Sequence, residues 1–472
     1  MFTRREFVAA GLAGAGAVGS GIALAEGLTG QGARASDRPA DVVLKPQQIN
    51  HPVLSGITTK GMMSYAPAGP APVLRMKQGE AFAADLINGL DEATTIHWHG
   101  LRIPNAVDGV PFLTQPYVYK GERFRYAFTP PDAGTFWYHP HCNTLEQMGR
   151  GLTGLLIIEE PEDPGFDQDL ALNLRDFRLG DDGQFIRQFK PRLAARGGTL
   201  GTVMTANWRV EPRYEVSSGG LLRLRLAATD VTRVYRISVI EEDTQAAADV
   251  RVIALDANPV PVPFPLEVYP IGAGQRMDLA IRLPREEGKI LRIETQSGAG
   301  PRVLATLITR GPDLGRSFAE LKPLPPNPVL EPDLANATTL PFTFSWSAEK
   351  SGMESICGTL GYSFWAINRV PWPGDVPDPG GPLAELKQGQ SYIFRLINET
   401  PNSHPIHLHG MSFKLLRSNK RKLMPLVSDT ALLLPNEHME VALVADNPGD
   451  WVFHCHVIEH QKSGLTGYVR VV

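Results

Sequence analysis

The chain has 472 residues, 43% of them hydrophobic and 20% charged, with a formal net charge of −4. That length suffices for two to four domains, and the composition excludes a disordered chain and a broadly basic nucleic-acid binder. Forty prolines and 46 glycines suit a protein of many short strands and turns.

Residues 1–35 do not read as part of the fold. Thr3-Arg4-Arg5-Glu6-Phe7 precedes a weakly apolar run in which Gly11, Gly14, Gly16, Gly19 and Gly21 make a poor core helix. The pattern is that of a twin-arginine signal peptide, cut after Ala25 or, preferably, Ala35. It implies passage through the twin-arginine machinery to the periplasm. No other segment is long and apolar enough to span a bilayer.

Beyond residue 35, short β-branched or aromatic runs alternate with Gly, Pro, Asn and Asp; residues 124–128, 221–226, 275–281, 391–396 and 441–445 are examples. They predict an all-β protein of Greek-key β-sandwich domains. The first domain spans 36–162 and carries His97-Trp98-His99-Gly100 and His139-Pro140-His141. A middle domain, 163–312, has no histidine and therefore no imidazole to offer a metal. A proline-rich connector, 313–340, is expected to be extended and surface-lying. The last domain, 341–472, carries His404-Pro405-Ile406-His407-Leu408-His409-Gly410 and His454-Cys455-His456-Val457-Ile458-Glu459-His460. The two end domains repeat each other: both histidine clusters are followed by Gly-Leu-Thr-Gly, at 151–154 and 464–467, and then by a strand-like run.

Ten of the twelve histidines thus lie in four clusters, leaving His51 and His438 as ordinary histidines. Each cluster contains His-x-His. On a strand, residues i and i+2 share a face, so each pair presents two imidazoles together. If the end domains face each other, eight imidazoles enclose one multinuclear site. Cys455, between His454 and His456, then points the other way, into its own domain, where it can join His404 and His460. A His₂Cys set is the blue-copper arrangement, whereas structural zinc wants four closed ligands. One such copper and a three-copper cluster can hold the four electrons that turn dioxygen into water. The two remaining cysteines, Cys142 and Cys357, can form a disulfide in an oxidising compartment; the alternative is a free, buried Cys142.

With these motifs the chain resembles the multicopper oxidases, the laccase-like family of three consecutive cupredoxin domains, over nearly all of its length beyond residue 35. Its stretch from His404 to His460, with Met411-Ser412-Phe413-Lys414, looks most like the CumA-type bacterial enzymes, proposed to oxidise manganese. The resemblance implies four copper ions. Type 1 copper would take His404, Cys455 and His460, and type 2 copper His97 and His407. One type 3 copper would take His99, His139 and His456, the other His141, His409 and His454. It also implies a non-coordinating Leu465 at the axial type 1 position, and Asp108 as a carboxylate near the type 2 copper that helps move protons. A second family carboxylate is here Gln461, which cannot ionise, with Glu459 adjacent.

The expected activity is one-electron oxidation of phenols or aromatic amines, with electrons entering through an exposed His404, coupled to reduction of dioxygen. The alternatives are a metallo-oxidase for Mn(II) or Cu(I), and a non-enzymatic copper-binding or structural envelope protein. Met353 is no methionine cluster for Cu(I), and Glu399 and Glu459 read as ordinary surface acids.

Overall fold

The computed structural model describes residues 39–347 and 360–472. The expected signal peptide, Met353 and Cys357 lie outside the described residues.

The fold is all-β, and one four-strand unit occurs three times. In the first, β1 (Leu74–Lys77), β2 (His97–His99), β3 (Gly134–His139) and β4 (Gly154–Glu159) lie in the order β1-β4-β3-β2. The second has β5 (Arg213–Ser217), β6 (Tyr235–Glu241), β7 (Ile290–Ser297) and β8 (Gly300–Arg310), with β5-β8-β7-β6 adjacent. The third has β9 (Ala384–Leu386), β10 (His404–Leu408), β11 (Gly449–Cys455) and β12 (Thr466–Val471), with β9-β12-β11-β10 adjacent. Each time the first strand is parallel to the last and the other pairs are antiparallel. The repeat read from the two ends therefore extends to the middle, which keeps the topology without the histidines.

Side chains alternate across these strands as the period of two requires. In β3, Phe136 and Tyr138 enter the core of the first sandwich, while Trp137 joins Leu145, Met148 and Ile458 on the outer face. In β10 and β11, Ile406, Leu408, Trp451, Phe453 and Cys455 enter the third core. The registers then place His97 opposite His139 and His407 opposite His454, on the faces turned away from those cores.

Polar contacts bring the two outward faces together. Arg102 pairs with Asp132 of its own domain and Asp446 of the third. Asn447 donates to the Ile103 carbonyl, and Asn105 to that of Asp450. The connector is less loose than its composition suggests. One turn, Phe318–Glu320, carries a capping box between Ser317 and Glu320. Asn327 bonds to the Ala133 backbone, the Ala257 carbonyl and Asn258. Strand Thr338–Trp346 begins inside the stretch expected to be connector.

The first and middle domains are joined through a buried carboxylate. Asp278 accepts from Thr135 Oγ1 at 2.6 Å, from Arg223 Nη2 at 2.7 Å and from Arg225 Nη1 at 3.2 Å. Burial pushes its pKa up, but the two guanidiniums outweigh burial and hold it below the ordinary value. A depressed carboxylate adds stability above its unfolded pKa, and that stability is lost as pH falls through the folded pKa. Asp278→Asn should therefore cost about 1–3 kcal/mol at pH 7, since it leaves Arg223 with Glu160 alone and Arg225 with Asp169 alone. The deficit against the unsubstituted protein should shrink once pH falls below about 4 in urea melts.

Candidate metal centres

His404 shares the parity of Ile406 and Leu408, not of His407, so it turns toward Cys455. Helix α1 (Ile458–Gln461) brings His460 to the same point. The two Nδ1 atoms are 3.1 Å apart, and Cys455 Sγ lies 3.5 and 3.6 Å from them. Their protonation is fixed from behind. His460 Nε2 is 2.7 Å from the Arg196 carbonyl, which only accepts, so Nε2 carries the hydrogen and Nδ1 a bare lone pair. Thr400 donates its hydroxyl to Asn398, so it accepts from His404 Nε2 at 2.8 Å, and His404 Nδ1 is bare as well. Burial reinforces this, pulling His460 down to about 3 and His404 well below the ordinary imidazole value. Burial also raises the Cys455 thiol, so a cation that takes the thiolate must displace its proton. Two lone pairs and one sulfur aimed at a common point repel one another until a cation sits between them.

The other eight imidazoles converge between the end domains. His97, His99 and His407 form one group, His99, His139 and His456 a second, and His141, His409 and His454 a third, with ligand atoms in each within 4.8 Å of one another. Acceptors again set the tautomers. The carbonyls of Asp108, Pro140, Asp429 and Cys455 take the Nδ1–H of His97, His139, His407 and His454. Asp108 Oδ2 takes that of His409 at 2.8 Å. Nε2 of His97, His139 and His407 is thus left buried with no partner, and Nε2 of His409 and His454 face each other at 3.1 Å. Both nitrogens of His456 and Nδ1 of His99 are also unpartnered. A buried polar atom without a partner is costly, and soft, neutral nitrogen donors in such number fit copper. Burial, then the neighbouring imidazoles, pulls His139, His141, His409, His454 and His456 well below the ordinary value, which keeps these donors neutral.

Two aspartates sit behind the cluster in a pseudo-twofold arrangement. The Asp108 carbonyl holds His97 while its carboxylate reaches His409 of the third domain. The Asp429 carbonyl holds His407 while its carboxylate lies 3.4 Å from His99 of the first. Gly109 permits the first of these turns: at φ +91° a Cβ would lie 1.8 Å from the Ile96 carbonyl oxygen. Burial would raise Asp429, but Arg276 of the middle domain, bonded at 2.9 and 2.6 Å, holds it well below the usual carboxylate range.

Several expectations need correction. His404 is fully buried, not exposed, and so is His460. The Arg196 carbonyl of the middle domain meets His460, and Trp365, which packs against both rings, donates its Nε1–H to the Ala194 carbonyl. Glu459 is not a surface acid. It is buried, and its carboxylate accepts from Thr199 and from the Lys190 amide, away from the imidazole cluster. Glu399 is exposed and paired with Arg369. Of the four His-x-His pairs, only His97 and His99 lie together within one strand. His141, His409 and His456 fall just past strand ends and reach the cluster through the turns that follow. Gln461 Nε2 lies 3.2 Å from His141 Nε2, so an amide occupies the place where an acid was wanted. Leu465 is buried in the same core as Cys455, to whose amide its carbonyl is bonded at 3.0 Å. Cys142 is disulfide-bonded and Cys455 is free. His51, packed on Trp208, and His438, exposed at a strand start, join no candidate group. Sequence reasoning missed Asp429 and Arg276, single charged residues in strand-like stretches that carry no motif.

A solved multicopper oxidase structure from Pseudomonas thermotolerans is 40% identical to the chain, with a TM-score of 0.82, covering 92% of this chain and 100% of that one. The chain belongs to the multicopper oxidases. Two multicopper oxidase family profiles match residues 48–163 and 355–472. Multicopper oxidase MmcO of Mycobacterium tuberculosis is 26% identical over 98% of this chain and 96% of its own length. Laccase-3 of Botryotinia fuckeliana is 28% identical over 84% of this chain and 99% of its own. As a multicopper oxidase, the protein is a copper-dependent oxidoreductase that passes electrons from a reductant to dioxygen.

Proposed function

We propose that this multicopper oxidase is laccase-like, oxidising phenols and aromatic amines one electron at a time with four coppers. His404, Cys455 and His460 hold the type 1 ion, and His97 and His407 the type 2 ion. His99, His139 and His456 hold one type 3 ion, and His141, His409 and His454 the other. The observation that carries this reading is the strand parity around Cys455, whose sulfur faces His404 and His460 while His454 and His456 face the cluster. Bound copper supplies one-electron storage and the reduction of dioxygen to water.

The chain's own groups do the rest. Peptide bonds on either side of Cys455 link the two sites covalently. Carbonyl and carboxylate acceptors keep the bare imidazole nitrogens turned inward. Asp108 bridges His97 and His409 and is the carboxylate suited to passing protons toward dioxygen; Gln461 cannot share that task. Two observations weigh against manganese: Glu459 is committed to Thr199, and Glu399 to Arg369. Export to the periplasm by the twin-arginine route is part of the proposal, supported by Arg4-Arg5 and the Gly/Ala-rich run that follows.

Copper-loaded protein should show an intense blue band and oxidise a phenolic dye in air, with kcat/KM well above that for Mn(II) or Cu(I); inertness toward phenols would refute the laccase-like reading. Cys455→Ser should abolish the blue band and dye oxidation while the imidazole cluster stays partly loaded; retained oxidation would contradict the covalent link.

Leucine at 465 offers no donor, so Cu(II) is less stabilised than with a methionine there. Leu465→Met should lower the type 1 reduction potential in a spectroscopic redox titration, and an unchanged or higher value would argue against an axial role for this position.

A further inference from the structure

Electrons must reach a type 1 site that no reductant can touch. Both imidazoles are fully buried, and the Arg196 carbonyl occupies the approach to His460 Nε2. A second feature leads outward from the same imidazoles. Trp365 packs against both, with ring centroids 4.6 Å from His460 and 5.2 Å from His404. On its other side it stacks with Trp346, centroids 4.1 Å apart and planes at 19°. Trp346 is 41% exposed, while Trp365 is fully buried.

The fold builds this stack deliberately. Trp346 ends strand Thr338–Trp346 and Trp365 begins strand Trp365–Ile367, and the two are direct cross-strand partners. Such a pair keeps its side chains on one face and in contact. Trp365 is fixed on two more sides, its amide donating to the Ser463 carbonyl at 2.9 Å and its Nε1 to that of Ala194 at 2.9 Å. Gly464, at φ +115°, lets the chain before Leu465 press onto it: a Cβ there would lie 2.1 Å from the Trp365 carbonyl oxygen. These bonds hold Trp365 independently of Trp346, whose indole keeps two-fifths of its surface in solvent.

We propose that Trp346 and Trp365 form the electron entrance of the type 1 site, and that an electron-rich planar aromatic docks on Trp346. The proposal rests on the laccase-like reading above. Indole faces stack with phenol and aniline rings, and the two indoles make a continuous path of ring contacts from the surface to His404 and His460. A phenol docked there loses one electron through the two rings to the His404–Cys455–His460 site, and its hydroxyl proton to water. Neither tryptophan is itself oxidised. Four such events match the four electrons and four protons that convert dioxygen to two waters.

The test compares anaerobic bleaching of the blue band by a methoxyphenol and by dithionite in copper-loaded protein carrying Trp346→Leu or Trp346→Phe. Trp346→Leu should lower the ratio of the phenol rate to the dithionite rate by about fivefold or more, and Trp346→Phe should recover most of it. In copper-free protein, saturable quenching of tryptophan emission by the phenol should weaken in Trp346→Leu. An unchanged ratio overturns the proposal. So does loss of the blue band, or equal slowing with both reductants, because Trp346 would then be a structural support. Wild-type protein that no phenol bleaches sinks the laccase-like reading instead.

Discussion

Everything here depends on bare imidazole lone pairs being held toward one another where water cannot reach them. In water such nitrogens would be solvated, and at the domain junction they are not. Seven of the ten are fixed by an acceptor behind them: the carbonyls of Asp108, Pro140, Asp429, Cys455 and Arg196, the Asp108 carboxylate and the Thr400 hydroxyl. Most of these acceptors are main chain, so the tautomers follow from the fold. Burial then keeps the rings neutral across the ordinary pH range. The result is a protein whose interior remains electrostatically frustrated until soft cations fill it.

The middle domain brings no ligand, yet three of its features bear on the sites. Arg276 neutralises Asp429 and also bonds the Thr135 carbonyl of the first domain, tying all three sandwiches together behind the cluster. Its segment over residues 190–201 packs against the His404–Cys455–His460 site by way of Arg196 and Thr199. Asp278, held by two arginines of its own domain, binds the first domain through Thr135. A domain that offers no imidazole therefore serves as the clamp that lets the histidines of the outer two meet.

Much of this was legible in the sequence because it is local. Strand parity separates Cys455 from His454 and His456, and it also separates His404 from His407. A two-residue period is enough to read both, and the match between residues 151–154 and 464–467 betrays the repeat. What was not legible depends on contacts between residues far apart in the chain. His404 reads as exposed until Trp365, 39 residues earlier, is known to pack against it. Glu459 reads as a surface acid until Thr199, 260 residues earlier, arrives to bind it. Asp429 and Arg276 acquire meaning only from each other. The pairing of Trp346 with Trp365 was equally silent, since nothing local announces which strands become neighbours.

Anomalous diffraction at the copper edge, on crystals of the copper-loaded protein, tests the account most directly. It should give one peak enclosed by His404 Nδ1, Cys455 Sγ and His460 Nδ1, and three peaks among the eight imidazoles between the end domains. A single peak, or copper bound away from these nitrogens, would contradict it.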